Sequence, residues 1–213
     1  MRTSRGRWDS SQGRGRSTRG FFNFGINPVF ALIAANFIIF IAVLFAGDLE
    51  WAKVNRFVYY LGLIPNDFIE RPWTIFTAMF VHQEFLHLFG NMITLFFFGS
   101  YLSRLVGNTW FTLVYLIGGL AGNLLYLVLG PDYSIAIGAS GAVYAVAGAL
   151  VVLVPNLRIY LYFLLPMPLW MVVLIFFVAF SFLPQIAWQA HIGGLVIGLL
   201  AGFYFRRKKL FFY

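Results

Sequence analysis

The apolar residues of this chain fall into six long runs, and all but the first of the connections between them are short. The runs cover residues 28–46, 85–102, 110–129, 133–154, 159–183 and 186–205. Because about 20 predominantly apolar residues are enough to cross a bilayer as an α-helix, the pattern predicts six membrane spans. The predicted fold is therefore all-α, a polytopic membrane protein built as a six-transmembrane-helix bundle.

The connection at residues 47–84 is too long to lack structure of its own. Its apolar residues recur at roughly helical spacing, at Trp51, Val54, Phe57, Val58 and Leu61. Tyr59, Tyr60 and Trp73 belong to the residue types that are enriched at membrane–water interfaces. We expect short helices that lie half-immersed at the membrane surface.

The composition indicates the same class of protein. Of 213 residues, 61% are hydrophobic and only 10% are charged, which lies far outside the range of soluble globular domains. The lack of cysteine excludes disulfides, a catalytic thiolate and cysteine-ligated metals. The net charge of +8 is concentrated at the two ends of the chain, so it indicates orientation more than a binding partner.

The N-terminal segment, residues 1–27, is predicted to be a disordered tail. Its arginines lie among Gly, Ser and Thr, a composition that cannot bury a core. A cytoplasmic anchor for anionic lipid explains these arginines more simply than RNA binding, so no nucleic-acid partner is expected. The first apolar run follows without a clear small-x-small cleavage site, and we interpret it as a retained span.

Six spans place both termini on the same side of the membrane. Most of the 15 basic residues fall on that side, including the tail arginines, Arg104, Arg158 and the cluster at 206–209, whereas most of the seven acidic residues fall opposite. By the positive-inside rule, the chain is predicted to be a multi-pass cell-membrane protein with cytoplasmic N- and C-termini. A six-span domain at 28–206 then precedes a basic and aromatic C-terminal tail at 207–213.

Four polar residues fall at a shared depth in three of the predicted spans. His87 and Asn91 lie in the second span, Ser140 in the fourth and His191 in the sixth, each within a few turns of the outer end. Polar residues inside a membrane are costly and mark function by default. His87 and Asn91 share a helix face, whereas His82, about 140° away around a continuous helix, is expected to face elsewhere.

Ser140 lies in the motif Gly138-Ala139-Ser140-Gly141. If its apolar run spans as one helix, the hydroxyl lies ~10 Å below the membrane surface. If a helix instead begins here, its first amide groups have no acceptor within the helix. Together with the positive end of the helix dipole, such amides stabilise an oxyanion. The alternative interpretation of the motif alone is packing of small residues, with Ser140 bonded to its own backbone.

Two stripes of small residues predict how this serine meets a base. Gly194, Gly198 and Gly202 follow His191, and Gly141, Ala145 and Gly148 follow Ser140. Such stripes let two helices pack backbone to backbone, so Ser140 and His191 are predicted to approach each other. A serine hydroxyl needs a base to become a nucleophile, and a neutral imidazole is the usual one.

The residues within the six runs give less support to other kinds of catalytic site. No Asp or Glu lies in any of the six runs, which excludes an intramembrane aspartyl protease and the acid of a Ser-His-Asp triad. A three-histidine metal site from His82, His87 and His191 is conceivable, although the spacing of the first two disfavours it. No metal and no cofactor are predicted.

Together these residues resemble the rhomboid family of intramembrane serine proteases, over about residues 28–206. The motifs are His82-x4-His87-x3-Asn91, Gly138-Ala139-Ser140-Gly141 with Tyr144 one turn on, and Ala190-His191-x2-Gly194-x3-Gly198. The resemblance implies a six-span rhomboid-like bundle. This chain departs from the family at Thr74, which stands where the family has an arginine after Trp73. The departure concerns the lipid contacts of the first loop and not the serine and histidine.

The resemblance also implies a role for each residue. Ser140 would be the nucleophile and His191 the general base. The oxyanion would be bound by His87, Asn91 and the Ser140 amide, and Tyr144 would pack against the His191 ring. Gly138, Gly141, Gly194 and Gly198 would support the site. The gate would consist of Phe176, Phe177, Phe180 and Phe182 with the loop 184–188.

The implied function is cleavage of transmembrane segments of membrane-protein substrates by a Ser-His dyad, within the lipid bilayer. The alternative is a catalytically silent rhomboid-like protein that binds transmembrane clients without cutting them. A transporter is disfavoured because Asn36, Asn123 and Ser181 do not build a polar path through the bilayer.

Overall fold

A computed structural model describes residues 27–49, 54–161, 165–181 and 186–211. The described chain is predominantly helical, which confirms the predicted all-α class. Almost all of the predicted N-terminal tail lies outside the described residues, as do residues 182–185 of the predicted gate.

The described elements are mostly helices, accompanied by two short antiparallel strand pairs. Helix α1 (Pro28–Phe45) precedes the paired strands β1 (Asp48–Leu49) and β2 (Val54–Asn55), followed by α2 (Arg56–Leu61), α3 (Thr74–Thr77) and α4 (Phe85–Thr94). Helix α4 continues through the π-helical turn Leu95–Gly99 into α5 (Ser100–Val106), and α6 (Asn108–Leu129) and α7 (Ser140–Leu153) come next. The strands β3 (Arg158–Leu161) and β4 (Leu165–Pro168) lead to α8 (Leu169–Ser181) and α9 (Trp188–Lys208).

Four described helices are long and apolar enough to cross a membrane, by length and composition. They are α1, the continuous helix from α4 to α5, α6 and α9, and they match four of the predicted spans. Helices α7 and α8 are shorter, with 14 and 13 residues. The count of six spans therefore stays a prediction.

The fourth apolar run does not begin as a helix, so of the two alternatives for this run the second is confirmed: the helix begins at Ser140 and not at residue 133. Ala136 pairs with Leu63 in an antiparallel bridge, and the Gly138 amide donates to the Ala78 carbonyl at 2.9 Å. Gly138 has a φ of +115°, which a glycine adopts without strain. The helix starts only at Ser140, so a depth estimate based on one continuous helix does not apply.

The prediction of a helix over the first part of the fifth run is wrong. Residues 158–161 and 165–168 form the antiparallel strand pair β3–β4, in which Tyr160 lies opposite Pro166 and Arg158 opposite Pro168. A proline inside a helix removes a hydrogen bond and clashes with the preceding turn, whereas a strand edge tolerates it. Helix α8 accordingly begins directly after Pro168.

The first connection contains short helices, as predicted, although Val54 lies in strand β2 and not in a helix; the position of these helices at the membrane surface stays a prediction. Helices α2 and α3 are accompanied by single 3-10 turns at Pro65–Asp67 and Ala78–Phe80. The buried Arg71 holds this segment together, since its guanidinium donates to the Tyr59 carbonyl and to the Asp67 carboxylate and lies over the Tyr59 ring. Arg71 was not identified from the sequence pattern.

Helices α6, α7 and α9 form the closely packed centre of the bundle. A Cβ atom on Gly194 or Gly198 of α9 would overlap the carbonyl oxygen of Gly141 or Ala145 in α7. This contact confirms that the two predicted stripes pack backbone to backbone. Helix α6 adds a third small-residue face, because a Cβ on Gly122 would lie 2.5 Å from the Ala190 carbonyl oxygen.

Candidate active site

Ser140 is the first residue of α7, and its hydroxyl meets a histidine from α9. The Oγ atom lies 2.8 Å from Nε2 of His191. The His191 side chain is buried, with 6% exposure, and no described residue hydrogen-bonds its Nδ1 atom. The predicted approach of these two residues, which are 51 positions apart in the chain, is present in the structure.

The face of the His191 ring is covered by Tyr144. The two rings stack with centroids 4.5 Å apart and an interplanar angle of 26°. Tyr144 follows Ser140 by one helical turn, so both side chains lie on the same side of α7. The stacking limits how far the imidazole plane can tilt away from the serine.

The start of α7 leaves backbone amides free of helical partners beside Ser140. The first hydrogen bond of this helix runs from the Val143 amide to the Ala139 carbonyl, at 3.0 Å. The amides of Ser140, Gly141 and Ala142 therefore have no acceptor within the helix. Amides at a helix start carry partial positive charge and suit a developing oxyanion.

His87 and Asn91 lie on one face of α4, opposite Ser140. The His87 ring packs against Gly138, where a Cβ would come within 2.7 Å of His87 Nε2. The Asn91 side-chain nitrogen donates to the His87 carbonyl oxygen at 2.9 Å. This bond uses one of two N–H groups and leaves the other for a ligand.

His82 does not line the cavity that His87, Asn91 and Ser140 share, but the expectation that it lies apart from these residues is wrong. His82 precedes α4, which begins at Phe85, so the angle calculated for a continuous helix does not describe it. Its ring is fully buried and meets the His87 ring edge to face, with centroids 4.8 Å apart. Its Nε2 atom accepts a hydrogen bond from the Ala139 amide at 3.3 Å.

His82 is thus held in its neutral form, next to Ala139 of the serine motif. Burial lowers the pKa of His82 from 6.5 to about 3, with a smaller contribution from the neighbouring His87. A neutral ring is needed here, because Nε2 accepts a bond from an amide and cannot also carry a proton. The buried ring secures Ala139 one residue before Ser140.

An apolar cavity of about 540 Å³ brings the candidate residues together. His87, Asn91, Ser140, Tyr144 and His191 all line it. Its remaining walls are mainly aliphatic and aromatic side chains from α4, α7 and α8. The polar groups at one end lie beside a much larger apolar surface.

The supporting glycines and the predicted gate are described only in part. Gly138 contacts His87. A Cβ on Gly141 would lie 3.1 Å from the Ala190 carbonyl oxygen. Of the predicted gate, Phe176 lines the cavity. The side chains of Phe177 and Phe180 and all of Phe182 lie outside what the structure describes, and the gate stays a prediction.

A metal site from the three histidines is not formed by the described residues. His82 Nε2 accepts from Ala139 and His191 Nε2 pairs with Ser140. Among the residues that the structure covers, no group of three or more His, Asp or Glu side chains converges on one point.

The fold and this site define a polytopic helical membrane protein with a serine and a histidine paired inside the bundle. Comparison with known proteins agrees, because the Rhomboid domain model matches residues 70–208. The chain belongs to the rhomboid family. The family model covers the first loop from Glu70 onward and all of the candidate site residues.

Individual relatives are similar over most of this chain. It is 30% identical over 203 residues to Rhomboid protein 1, mitochondrial, of Saccharomyces cerevisiae, which covers 84% of this chain and 53% of that protein. It is 34% identical over 158 residues to RHOMBOID-like protein 6, mitochondrial, of Arabidopsis thaliana, with 74% and 47% covered. A Bacillus subtilis protein provisionally named rhomboid protease YdcA is 32% identical over 161 residues, with 71% and 74% covered.

The chain spans about half the length of the first two relatives. Their names place those two proteins in mitochondria, so the predicted location in the cell membrane and the predicted orientation of the termini stay predictions. The family membership and the apolar helices establish that the chain is a multi-pass protein of a lipid bilayer.

Proposed function

We propose that this chain is an intramembrane serine endopeptidase that cleaves transmembrane segments of membrane-protein substrates. The observation that carries the proposal is the 2.8 Å approach of Ser140 Oγ to His191 Nε2 at one end of an apolar cavity. A serine within hydrogen-bond reach of an imidazole is the arrangement that activates the hydroxyl. Family membership and the protease name of the B. subtilis relative support the same reaction class.

In the first half of the reaction, His191 Nε2 takes the proton of Ser140 as Oγ attacks the carbonyl carbon of the scissile peptide bond. The carbonyl oxygen becomes a tetrahedral oxyanion. When the C–N bond breaks, the protonated imidazole returns its proton to the leaving amine. An ester between Ser140 and the acyl half of the substrate remains.

In the second half, a water molecule attacks the ester carbonyl and His191 accepts the proton of that water. Collapse of the second tetrahedral intermediate breaks the ester, and the proton passes from His191 to Ser140 Oγ. The products are a carboxylate, the amine released earlier and the restored serine. Water has to reach only the polar end of the cavity, where Ser140 and His191 lie.

Three groups are assigned to the oxyanion: the Ser140 amide, the Asn91 side-chain amide and the His87 ring. The Ser140 amide belongs to a helix start that has no helical acceptor. His87 and Asn91 line the same cavity as Ser140. Donors held in place inside a dry site stabilise a developing charge more than donors in water do.

Two residues suffice for proton transfer in this site. No described group accepts a hydrogen bond from His191 Nδ1, so orientation of the imidazole falls to the Tyr144 ring that stacks on it. A buried carboxylate as third member would bring a large desolvation cost. A Ser-His dyad avoids that cost.

The apolar walls of the cavity favour a membrane segment as the substrate. The cavity lies among membrane-crossing helices, where a soluble peptide would have to give up water around its polar backbone, whereas a transmembrane segment already lies in an apolar surrounding. Both termini are assigned to the cytoplasmic face of a cell membrane, since α9 ends in Arg206, Arg207 and Lys208.

The test is cleavage of a reporter transmembrane helix by the purified full chain in proteoliposomes. We expect the wild-type protein to cut the reporter, and Ser140→Ala and His191→Ala to leave it intact while melting at the wild-type temperature. A fluorophosphonate probe should label the wild-type protein at Ser140 and fail to label Ser140→Ala. Equal cleavage by wild type and Ser140→Ala would refute the mechanism.

The alternative function, binding of transmembrane clients without cleavage, predicts a different pattern. The reporter helix would then copurify with the wild-type protein, remain uncut over long incubation, and bind Ser140→Ala equally well. The fluorophosphonate probe would leave Ser140 unlabelled.

A further inference from the structure

An apolar groove runs along the junction of α6 and α9, in the part of the junction where α6 begins and α9 ends. Further along, the two backbones lie against each other, since a Cβ on Gly193 would come within 2.7 Å of the Ala121 carbonyl oxygen. Toward the start of α6 the facing side chains are mostly large, and they enclose a groove of about 300 Å³. Its main walls are Trp110, Leu113 and Ile117 of α6 and Leu200, Ala201 and Tyr204 of α9. The groove shares no residue with the cavity that contains Ser140.

The groove opens on the outside of the bundle. Leu113, Ile117 and Leu200 are each at least 40% exposed, so no segment of the described chain covers them. In a bilayer, the surroundings of such a helix surface are the acyl chains of lipids. An acyl chain is therefore the apolar group that is at hand to fill the groove.

Aromatic residues lie at the end of the groove that is nearest to the helix termini. Trp110 is the third residue of α6, and its ring packs against Phe205 and Tyr204 with centroids 5.4 and 5.9 Å apart. Trp and Tyr are enriched where the headgroups of a membrane meet its hydrocarbon core. From Trp110 to Ile117 the groove follows α6 for ~10 Å. It thus leads from the level of the headgroups into the hydrocarbon, in the direction that an acyl chain takes.

The last turn of α9 adds positive charge at this same end of the groove. Lys208 follows Tyr204 by four residues and Ala201 by seven, so it continues the face of α9 that lines the groove. Arg207 follows Tyr204 by three residues and borders the same face. Arg206, two residues after Tyr204, lies on the opposite side of the helix. All three basic residues are exposed, and none of them forms an ion pair with a described acidic residue.

The acidic residues that the structure describes lie at the other end of the bundle. Four of them belong to the connection between α1 and α4, and Asp132 follows the end of α6. The charge beside the groove therefore lacks a counter-charge from the described chain. A second copy of the chain does not supply one, because a symmetric pair in one membrane would bring two basic turns together. An anionic group on an apolar chain has the matching chemistry.

We propose that this groove binds one acyl chain of an anionic phospholipid, whose phosphate headgroup is held by Lys208 and Arg207. Ammonium and guanidinium groups form short, charge-assisted hydrogen bonds with phosphate oxygens. A zwitterionic headgroup gains less from these two residues, because it carries a cation of its own. The site does not depend on the proposed protease activity. Since the groove exists only in the folded protein, the bound lipid stabilises the fold.

Native mass spectrometry of the full chain in detergent tests the proposal, with dioleoyl phosphatidylglycerol and dioleoyl phosphatidylcholine as the titrated lipids. We expect one tightly bound phosphatidylglycerol per chain and weaker binding of phosphatidylcholine. Lys208→Gln and Arg207→Gln should each raise the Kd for phosphatidylglycerol about fivefold. Arg206→Gln is the matched control, because it removes the same charge from the opposite face of the same turn, and it should leave this Kd unchanged.

A second pair of variants tests the groove itself. Ala201→Phe fills the groove from α9 and should weaken the binding of phosphatidylglycerol at least about tenfold, since excluding two methylenes of the acyl chain is enough for that loss. Val196→Phe places the same ring at an exposed position of α9 outside the groove lining and should leave the binding unchanged. If Ala201→Phe melts far below the wild type, Leu113→Trp fills the groove from α6 and should weaken binding in its place.

Three results would overturn the proposal. Equal affinity for the two lipids, or an equal loss of affinity in Arg206→Gln and Lys208→Gln, would show that the groove end does not select the headgroup. Unchanged binding of phosphatidylglycerol to both groove-filling variants would place the lipid elsewhere on the protein. A wild-type dimer that Ala201→Phe converts into a monomer would show that a second copy of the chain occupies the groove.

Discussion

The backbone of Gly194 in α9 lies against the carbonyl group of Gly141 in α7, so closely that a Cβ on Gly194 would overlap that oxygen. Gly141 directly follows Ser140, and Gly194 is three residues beyond His191. Since each helix is rigid over a single turn, this contact determines how far the serine lies from the histidine.

Gly194→Ala should therefore separate the two helices. Because the colliding atom belongs to the backbone and cannot rotate away, we expect a loss of about 1–3 kcal/mol or more in folding free energy and a strong loss of cleavage. Thermal melting in detergent and the reporter assay measure the two effects. Gly47→Ala is the matched control, because its new methyl group meets no atom within 4 Å and Gly47 does not line the cavity. A Gly194→Ala protein that melts like the wild type would contradict the contact.

Asn91→Ala and His87→Ala should each lower kcat on the order of 10²-fold without abolishing cleavage, which is the usual loss for one oxyanion donor. The single-turnover rate at saturating substrate separates this effect from weaker binding. A raised KM with an unchanged kcat would instead identify the two side chains as ground-state contacts. Because His87 also packs against Gly138, the melting temperature of His87→Ala has to be measured alongside.

His82→Gln should retain most of the cleavage activity, whereas His82→Leu should lose it. The glutamine oxygen can accept the Ala139 amide bond that His82 Nε2 accepts now, whereas leucine fills similar space without an acceptor. A buried amide that loses its partner costs about 1–3 kcal/mol. Reporter cleavage and melting temperature are compared for the two variants. Equal behaviour of Gln and Leu at this position would show that the hydrogen bond is unimportant.

The stability of the protein should fall as the pH decreases below about 6.5, in part because of His82. In the unfolded chain this histidine binds a proton near pH 6.5, whereas burial holds its folded pKa at about 3. The unfolded state therefore binds more protons throughout this interval, and low pH favours it. At pH 5 the contribution is on the order of 2 kcal/mol.

His82→Gln cannot titrate at this position, so its melting temperature should fall less than that of the wild type between pH 7 and pH 5. The comparison cancels the contributions of His87, His191 and the carboxylates, which both proteins share. An equal fall in both proteins would show that His82 carries no shifted proton equilibrium.

Several features could be predicted from the sequence because they depend on residue type and spacing alone. Apolar runs of membrane-spanning length predicted α1, the continuous helix from α4 to α5, α6 and α9. The four-residue period of Gly194 and Gly198 predicted close packing against Gly141 and Ala145. The meeting of Ser140 and His191 followed from that packing, because each residue lies at the end of its stripe.

Other features needed the tertiary structure, because residues distant in the chain decide them. Hydropathy alone cannot distinguish a loop or a strand from a helix inside an apolar run, so the bridge from Ala136 to Leu63 and the paired strands β3 and β4 were not predicted. The direction of the His82 side chain could not be predicted, because it depends on the residue at which α4 begins. Its bond to Ala139 joins residues 57 positions apart, and no local periodicity encodes that contact. The sequence likewise does not distinguish Gly90, which lines the cavity and where a Cβ would meet no atom within 4 Å, from Gly194, where a Cβ would overlap the Gly141 carbonyl oxygen.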